Sequence, residues 1–497
     1  MTQNNPQNKN KKSRLVLAAL AAFTAGDMIT TGSSPDLMAH IPVGGTPPNI
    51  SEEYFAGGKM GTVFNSTSRC LEMPSPAIEA SPELSEMFAE GEAIFEADFV
   101  VDPDAPNGGL GPVYNNNSCR NCHPNYGRAR RVENWHEQFG NGYLAFVHTP
   151  DGKFVKGYTF MLQTMAVPPY VPTAKGVDIQ WHEYTDDFGN KYPDGTPYNE
   201  GKEYEGTLIY PTADIIDPIV DLPDNYKVSI EGTIGIPGTG LLDAIPDEAI
   251  IAEFERQAAS ELPPKGQHGP WVTEPYDGKK HLGKFTSHNA RGSLQNGPGF
   301  NGSWSVPNIT REDRRKLFVK QEWIDKQAEM GIDTTMLTAE QPVEMTPEDH
   351  ANLMIWSRGL AIPAARNLDD PIVQQGRKMF YKASCNECHK PSWITEKDHK
   401  YIPGYSNQKI WPYTDLLMHD MGEMNHGLKK TVRTPPIWAR QMMWNAADHT
   451  DMWHDLRARN FEEAILWHFG EGEFSRELYR NMSKDERKAL IKFLKAI

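Results

Sequence analysis

The chain has 497 residues, too many for one ordinary core, and its hydrophobic content of 38% with a mean hydropathy of −0.59 excludes both a membrane bundle and a disordered chain. A net charge of −16 argues against nucleic acid as a partner, because phosphate binding needs basic surface. The plentiful proline (38) and glycine (41) favour long ordered loops over a simple helical bundle.

In chain order, the first segment reads as an export signal, 1–26. Lys9, Lys11, Lys12 and Arg14 precede the apolar run 15–23, which is too short to span a bilayer comfortably. Small residues Thr24, Ala25 and Gly26 follow, and cleavage near Gly26 leaves no stable membrane span. Residues 27–50 are polar and proline-containing, as in a linker. Residues 51–307 form a first unit. It is expected to hold a helix over 81–95, a Gly- and Asn-rich loop over 107–117, and strands at 142–148, 159–166 and 227–234. A helix over 242–254 starts at Pro246-Asp247. Residues 308–345 are charged and helical, a connector. In the second unit, 346–497, Thr346 and Glu348 open a helix to about 360, with Pro347 early in it. Another helix spans 370–383. The last spans 483–497, where Ser483 and Glu486 form a capping box. The expected fold class is therefore mainly α, with long loops and a few short strands in the N-terminal half.

The pentapeptide Cys-x-x-Cys-His occurs twice, as Cys119–His123 and Cys385–His389. Two thiols three apart can add to the two vinyl groups of one porphyrin, and the adjacent histidine then reaches the iron. Four of the five cysteines are used this way. The rival is zinc or a disulfide. One pair supplies only two of the four ligands that structural zinc takes, and the pairs lie more than half a chain apart. The expected cofactors are two covalently bound c-type haems, Cys119, Cys122, Cys385 and Cys388 being the attachment points and His123 and His389 the iron ligands. Cys70, the odd cysteine, is expected as a buried free thiol.

With these motifs in place, the chain resembles the bacterial di-haem oxidoreductase-like family, related to the di-haem cytochrome c peroxidases. The resemblance runs from Gly57 to Ile497. It rests on Gly109-Leu-Gly-Pro-Val-Tyr-Asn115, Gly240-Leu-Leu-Asp-Ala-Ile-Pro-Asp-Glu-Ala249 and Trp411-Pro-Tyr-Thr-Asp-Leu-Leu-Met-His-Asp-Met-Gly422. Arg433-Thr-Pro-Pro-Ile-Trp438 and Glu462-Glu-Ala-Ile-Leu-Trp-His468 complete it. It implies two mostly helical cytochrome c-like domains, 51–307 and 346–497.

The distal ligands decide the chemistry, since an iron with two strong axial ligands passes electrons and one with an open side can bind peroxide. For the second haem the resemblance points to His468, standing where the peroxidases have a methionine. Met421, His419 and Met452 are the rivals. For the first haem, His136, His148 and His288 are all possible, and so is an open site. Gln295 stands where the related peroxidases have an active-site glutamine, and His288 could occupy the distal position. The acid that accompanies the glutamine is missing, since 302–305 has no carboxylate. Arg433 is implied as a partner of a haem propionate. His419-Asp420 and His454-Asp455 could be proton relays or structural pairs. The resemblance also allows a calcium ion, for which the loop 102–109 is a weak candidate.

The reading is a periplasmic di-haem oxidoreductase, peroxidase-like, with electrons entering at the C-terminal haem and chemistry at the N-terminal one. Its partners would be a small redox protein or quinone-linked donor, and hydrogen peroxide. The alternatives are a di-haem electron carrier without peroxidase activity and a haem- or iron-handling partner of an uptake system.

Overall fold

The computed structural model describes residues 50–497 apart from 136–141, 160, 262, 275–276, 297–303 and 423–426. The expected signal and linker, and His136, lie outside the described residues. Ser51–Ile497 forms one compact unit. Among the described residues, no helix is long and apolar enough to cross a membrane.

Helix α1, Pro82–Glu96, begins where Ser81 accepts the amide of Leu84, with proline at the first position. Phe88, Gly91 and Phe95 are its buried residues, spaced three and four apart on one face. Strand β1, Tyr143–His148, follows the first attachment peptide. Strands β2, Gly176–Tyr184, and β3, Leu208–Ile216, form a long antiparallel hairpin. Strand β4, Lys227–Gly232, pairs antiparallel with β1. The sequence placed β1 and β4 nearly correctly. The expected strand at 159–166 shrinks to Met165–Ala166, paired with Val113–Tyr114. The expected helix at 242–254 starts later and runs Asp247–Ala259 as α2. The connector carries helix only at Gln321–Glu329 and Thr335–Thr338.

Helix α3, Pro347–Gly359, opens with a capping box between Thr346 and Asp349, so the reciprocal partner is Asp349 and not Glu348. Helix α4, Pro371–Lys382, is capped by Asp370 and buries Val373, Gly376 and Phe380. Strands β5, Met418–Asp420, and β6, Thr431–Arg433, form a short hairpin. Helices α5, Phe461–Leu466, α6, Glu473–Arg480, and α7, Lys484–Ala496, close the chain. The expected Ser483–Glu486 capping box opens α7.

The helices pair in two crossings. A Cβ at Gly91 of α1 would overlap the Asn352 carbonyl of α3, and one at Gly376 of α4 would overlap the Ala489 carbonyl of α7. Glycine lets two backbones meet there. In each crossing one helix, α1 or α4, lies upstream of a Cys-x-x-Cys-His, and only α4 runs directly into it. The helix that the sequence put at the head of the second unit, α3, thus packs on α1. Thr62–Val63 likewise pairs with Ile362–Pro363. Helix outweighs strand, and each sheet among the described residues has two strands.

Candidate haem sites

Each attachment peptide is one tight turn. Cys119–Cys122 is a single α-turn, and the His123 amide returns to the Cys119 carbonyl at 3.1 Å. Cys385–Glu387 is a 3-10 turn, and the His389 amide returns to the Cys385 carbonyl at 2.8 Å. Burial pushes the thiols of Cys119, Cys122 and Cys385 up to about 12, so they are neutral, and none is in a disulfide. Cys70 is buried and free, its thiol directed at the Met442 carbonyl.

The two histidines are steered alike. His123 Nδ1 donates to the Gly127 carbonyl at 3.1 Å, and His389 Nδ1 to the Tyr413 carbonyl at 3.0 Å. This fixes the tautomer that leaves Nε2 for a metal. Burial lowers both pKa values, that of His123 to about 4, which favours the neutral ligand form.

Across from His389 stands His468, just past the end of α5. Asn460 caps α5 by accepting the Glu463 amide. His468 Nδ1 donates to the Ala464 carbonyl at 2.6 Å, again leaving Nε2 bare, and burial lowers its pKa to about 4. The ring centres of His389 and His468 are 6.4 Å apart. Two imidazoles bound at about 2 Å on opposite sides of one metal ion have ring centres roughly 6 Å apart. The spacing fits one iron. Trp453 lies edge-on to His468 at 5.7 Å. Among the rivals, His419 has both nitrogens taken, Nε2 by Asp415 and Nδ1 by Glu471, each at 2.8 Å. Its partners are these carboxylates rather than its neighbour Asp420. Cys388, Asp415 and His419 lie close enough together for a metal ion, but Cys388 belongs to the attachment turn.

The first site has a different face. The ring against His123 is Phe95, 6.4 Å between centres, and Phe95 stacks on Trp356 at 4.1 Å. Among the described residues no histidine ring faces His123 as His468 faces His389. His148 spends Nδ1 on the Thr149 carbonyl and Nε2 on Ser229. His288 holds Glu231 at 2.8 Å and the Thr431 carbonyl at 3.1 Å, so neither nitrogen is left for iron. Gln295 accepts from Arg358 at 3.3 and 3.4 Å and its amide nitrogen is 3.5 Å from His350. None of these partners belongs to an attachment peptide.

Buried cations supply a second test of fit. Arg433 is buried, with Nε and Nη1 lacking hydrogen-bond partners. Arg128 is also buried, with Nε unpaired and Nη2 donating to the Trp453 carbonyl at 2.7 Å. Burial, then repulsion from Arg128 and Arg433, lowers Arg440 to about 9. Unpaired buried guanidinium groups are costly, and the carboxylates of haem propionates would satisfy them. Arg433 was singled out from the sequence; Arg128 was not, nor was the half-buried Arg440, which donates to the Pro436 carbonyl at 3.0 Å. Arg128 could have been suspected from its position five residues after His123. In the loop 102–109, Asp102 accepts the Asp104 amide, while Glu344 accepts the amides of Asn107 and Gly109.

The family described as "Di-haem oxidoreductase, putative peroxidase" matches residues 52–133 and 308–497, more than half of the chain. No curated protein sequence gives a significant match. Among solved structures, the hydrazine synthase of Kuenenia stuttgartiensis, pressurized with xenon, matches at 16% identity with a TM-score of 0.22. That match covers 37% of this chain and 65% of the other.

Proposed function

Because the chain belongs to the di-haem oxidoreductase family, we propose that it is an exported, peroxidase-like oxidoreductase with two c-type haems of unequal role. Cys385, Cys388, His389 and His468 would hold the haem through which electrons enter. Cys119, Cys122 and His123 would hold the haem that supplies the chemistry with hydrogen peroxide. Bound haem supplies one-electron transfer and peroxide chemistry at iron. The chain's own residues attach the porphyrins, fix the imidazole tautomers and neutralise the propionates through Arg128, Arg433 and Arg440.

The observation that carries this reading is the unequal pair of faces. His468 stands 6.4 Å from His389, whereas the ring against His123 is the non-ligating Phe95. A saturated iron suits transfer and an open one suits substrate. Export to the periplasm is supported by the basic and apolar N-terminus, and a small redox protein or quinone-linked donor would supply the electrons.

The test is an electron paramagnetic resonance spectrum of the holoprotein, oxidised and then half-reduced. One low-spin bis-histidine signal, with high-spin iron present or appearing on half-reduction, is expected. Two low-spin signals that persist on half-reduction would leave an electron carrier.

A further inference from the structure

The histidines divide by how their nitrogens are engaged. His123, His389 and His468 each tie Nδ1 to a backbone carbonyl, the tautomer that presents Nε2 to a metal. His148, His288 and His419 spend both nitrogens. His454 does neither. Its side chain is 4% exposed, Asp455 is 3.9 Å away, and neither ring nitrogen has a hydrogen-bond partner. A buried imidazole bare at both nitrogens carries a desolvation cost unless a polar group comes to meet it.

His454 lies beside the first attachment peptide. The Gly232 amide donates to the His454 carbonyl at 2.6 Å. The next residue, Thr233, donates its hydroxyl to the Cys122 carbonyl at 2.6 Å. Arg128 donates to the Trp453 carbonyl. Tyr143 stands opposite Gly232 in the β1–β4 ladder and is fully buried, its hydroxyl near the Val132 amide but with no acceptor for its proton. Asp455 acts electrostatically on both Tyr143 and His454. A buried imidazole bare at both nitrogens and a buried phenol thus lie on the two segments that flank Gly232, next to the Thr233 that touches Cys122.

We propose that His454 is the proton-transfer residue of the first haem pocket, with Tyr143 as the hydrogen-bond donor beside it and peroxide as their substrate. This rests on the first haem being the reactive one. The role is proton transfer and not iron ligation, because His454 lacks the Nδ1 anchor that the other three candidate ligands share. Burial lowers its pKa and Asp455 and Glu231 oppose that shift, while Arg457 and His288 reinforce it. The neutral ring can accept a proton. In the step, His454 takes a proton from one peroxide oxygen and returns it to the other, which leaves as water as the O–O bond breaks. The two electrons would be supplied by the bound haems, replenished by the one-electron donor, and two further protons complete the second water. Such a positioned group contributes about 10²–10⁴-fold.

The test uses the full-length holoprotein and its His454→Gln and Tyr143→Phe variants. Stopped-flow spectra follow hydrogen peroxide and, separately, cyanide, which must lose a proton to bind. His454→Gln is expected to slow the peroxide step by about 10²–10⁴-fold and to slow cyanide uptake, with the spin states of both haems unchanged. Tyr143→Phe, which removes one oxygen, is expected to slow peroxide about tenfold. Wild-type rates in His454→Gln would overturn the proposal. A first haem that changes from low- to high-spin in that variant would overturn it too, by making His454 an iron ligand. If His454→Gln loads no haem, an unchanged peroxide rate in Tyr143→Phe overturns the proposal. Failure of the underlying reading is distinct: the wild-type protein itself would take up neither peroxide nor cyanide, and the proposal would fall with it.

Discussion

The two attachment turns differ little. Both return the histidine amide to the first cysteine carbonyl, and both steer the imidazole through Nδ1. Both follow a helix crossed by another at a glycine. What differs is the ring found beside each histidine. His468 meets His389, and Phe95 lies against His123. The turn itself is local in both, but the carbonyl that steers the imidazole is four residues on for His123 and comes from Tyr413, in a later segment, for His389. His468 reaches His389 from a segment well downstream, whereas Phe95 comes from α1, upstream of Cys119, and the proposed difference in role rests on that contrast.

The largest effect should come from removing one frame. Replacing Cys385 and Cys388 together by alanine is expected to leave about one covalent haem per chain, measured by pyridine haemochrome, since two thioethers hold each porphyrin. Loss of both haems would mean that the frames do not load independently. Next comes His468. His468→Ala should convert the low-spin signal of the second haem to high-spin. His468→Met should keep it low-spin and raise its potential, because thioether favours reduced iron. An unchanged low-spin signal in His468→Ala would transfer the ligand role elsewhere.

A smaller effect is expected from the hairpin that braces the His468 helix. Asn199, in the β2–β3 connection, donates its amide to Glu462 and its side chain to Glu463, each at 2.8 Å. Tyr184 packs on Trp467, with ring centres 5.1 Å apart. This brace lies in 134–307, which the family match does not include. Asn199→Ala leaves the buried Glu463 short of a donor, a loss of about 1–3 kcal/mol. A partly high-spin second haem with the first unchanged is the expected spectrum. Equal change at both haems would mark a general loss of stability instead.

These differences explain what the sequence could show. The Cys-x-x-Cys-His motifs, the Ser483 cap and Pro347 are local patterns and were legible, whereas the Ser81 cap, just as local, was not singled out. The crossing of α3 on α1 was not, because a helix carries no local record of its partner, and α3 was grouped with the second unit that follows it. The β2–β3 hairpin went unread although buried Val177 and Ile179 alternate with exposed Asp178 and Gln180. The segment around Tyr158, Met161 and Leu162 looked like a strand because its apolar residues are buried, yet no partner strand lies there among the described residues. His468 was reached only through resemblance to a family. Its opposition to His389 depends on how the chain returns, as does the pairing of His288 with Glu231 that occupies a residue the sequence favoured for the first haem.

The smallest effect separates the two helix crossings themselves. Ser81 caps α1 with one bond, accepting the Leu84 amide at 3.3 Å. Ser483 caps α7 reciprocally: its hydroxyl accepts the Glu486 amide at 3.3 Å, and Glu486 accepts the Ser483 amide at 2.9 Å. Glu486 also pairs with Lys382 of α4 at 3.0 Å, so this cap fastens the second crossing as well as starting a helix. An N-cap serine replaced by alanine costs about 1 kcal/mol. Ser483→Ala should therefore lower the unfolding midpoint by more than Ser81→Ala, because it also loosens the Glu486 carboxylate that ties α7 to α4. The comparison is made on the holoprotein by denaturant melts read at both haems. Equal losses would mean that the Lys382 link adds nothing, as is common for exposed ion pairs, and that the two crossings are held equally by their buried faces.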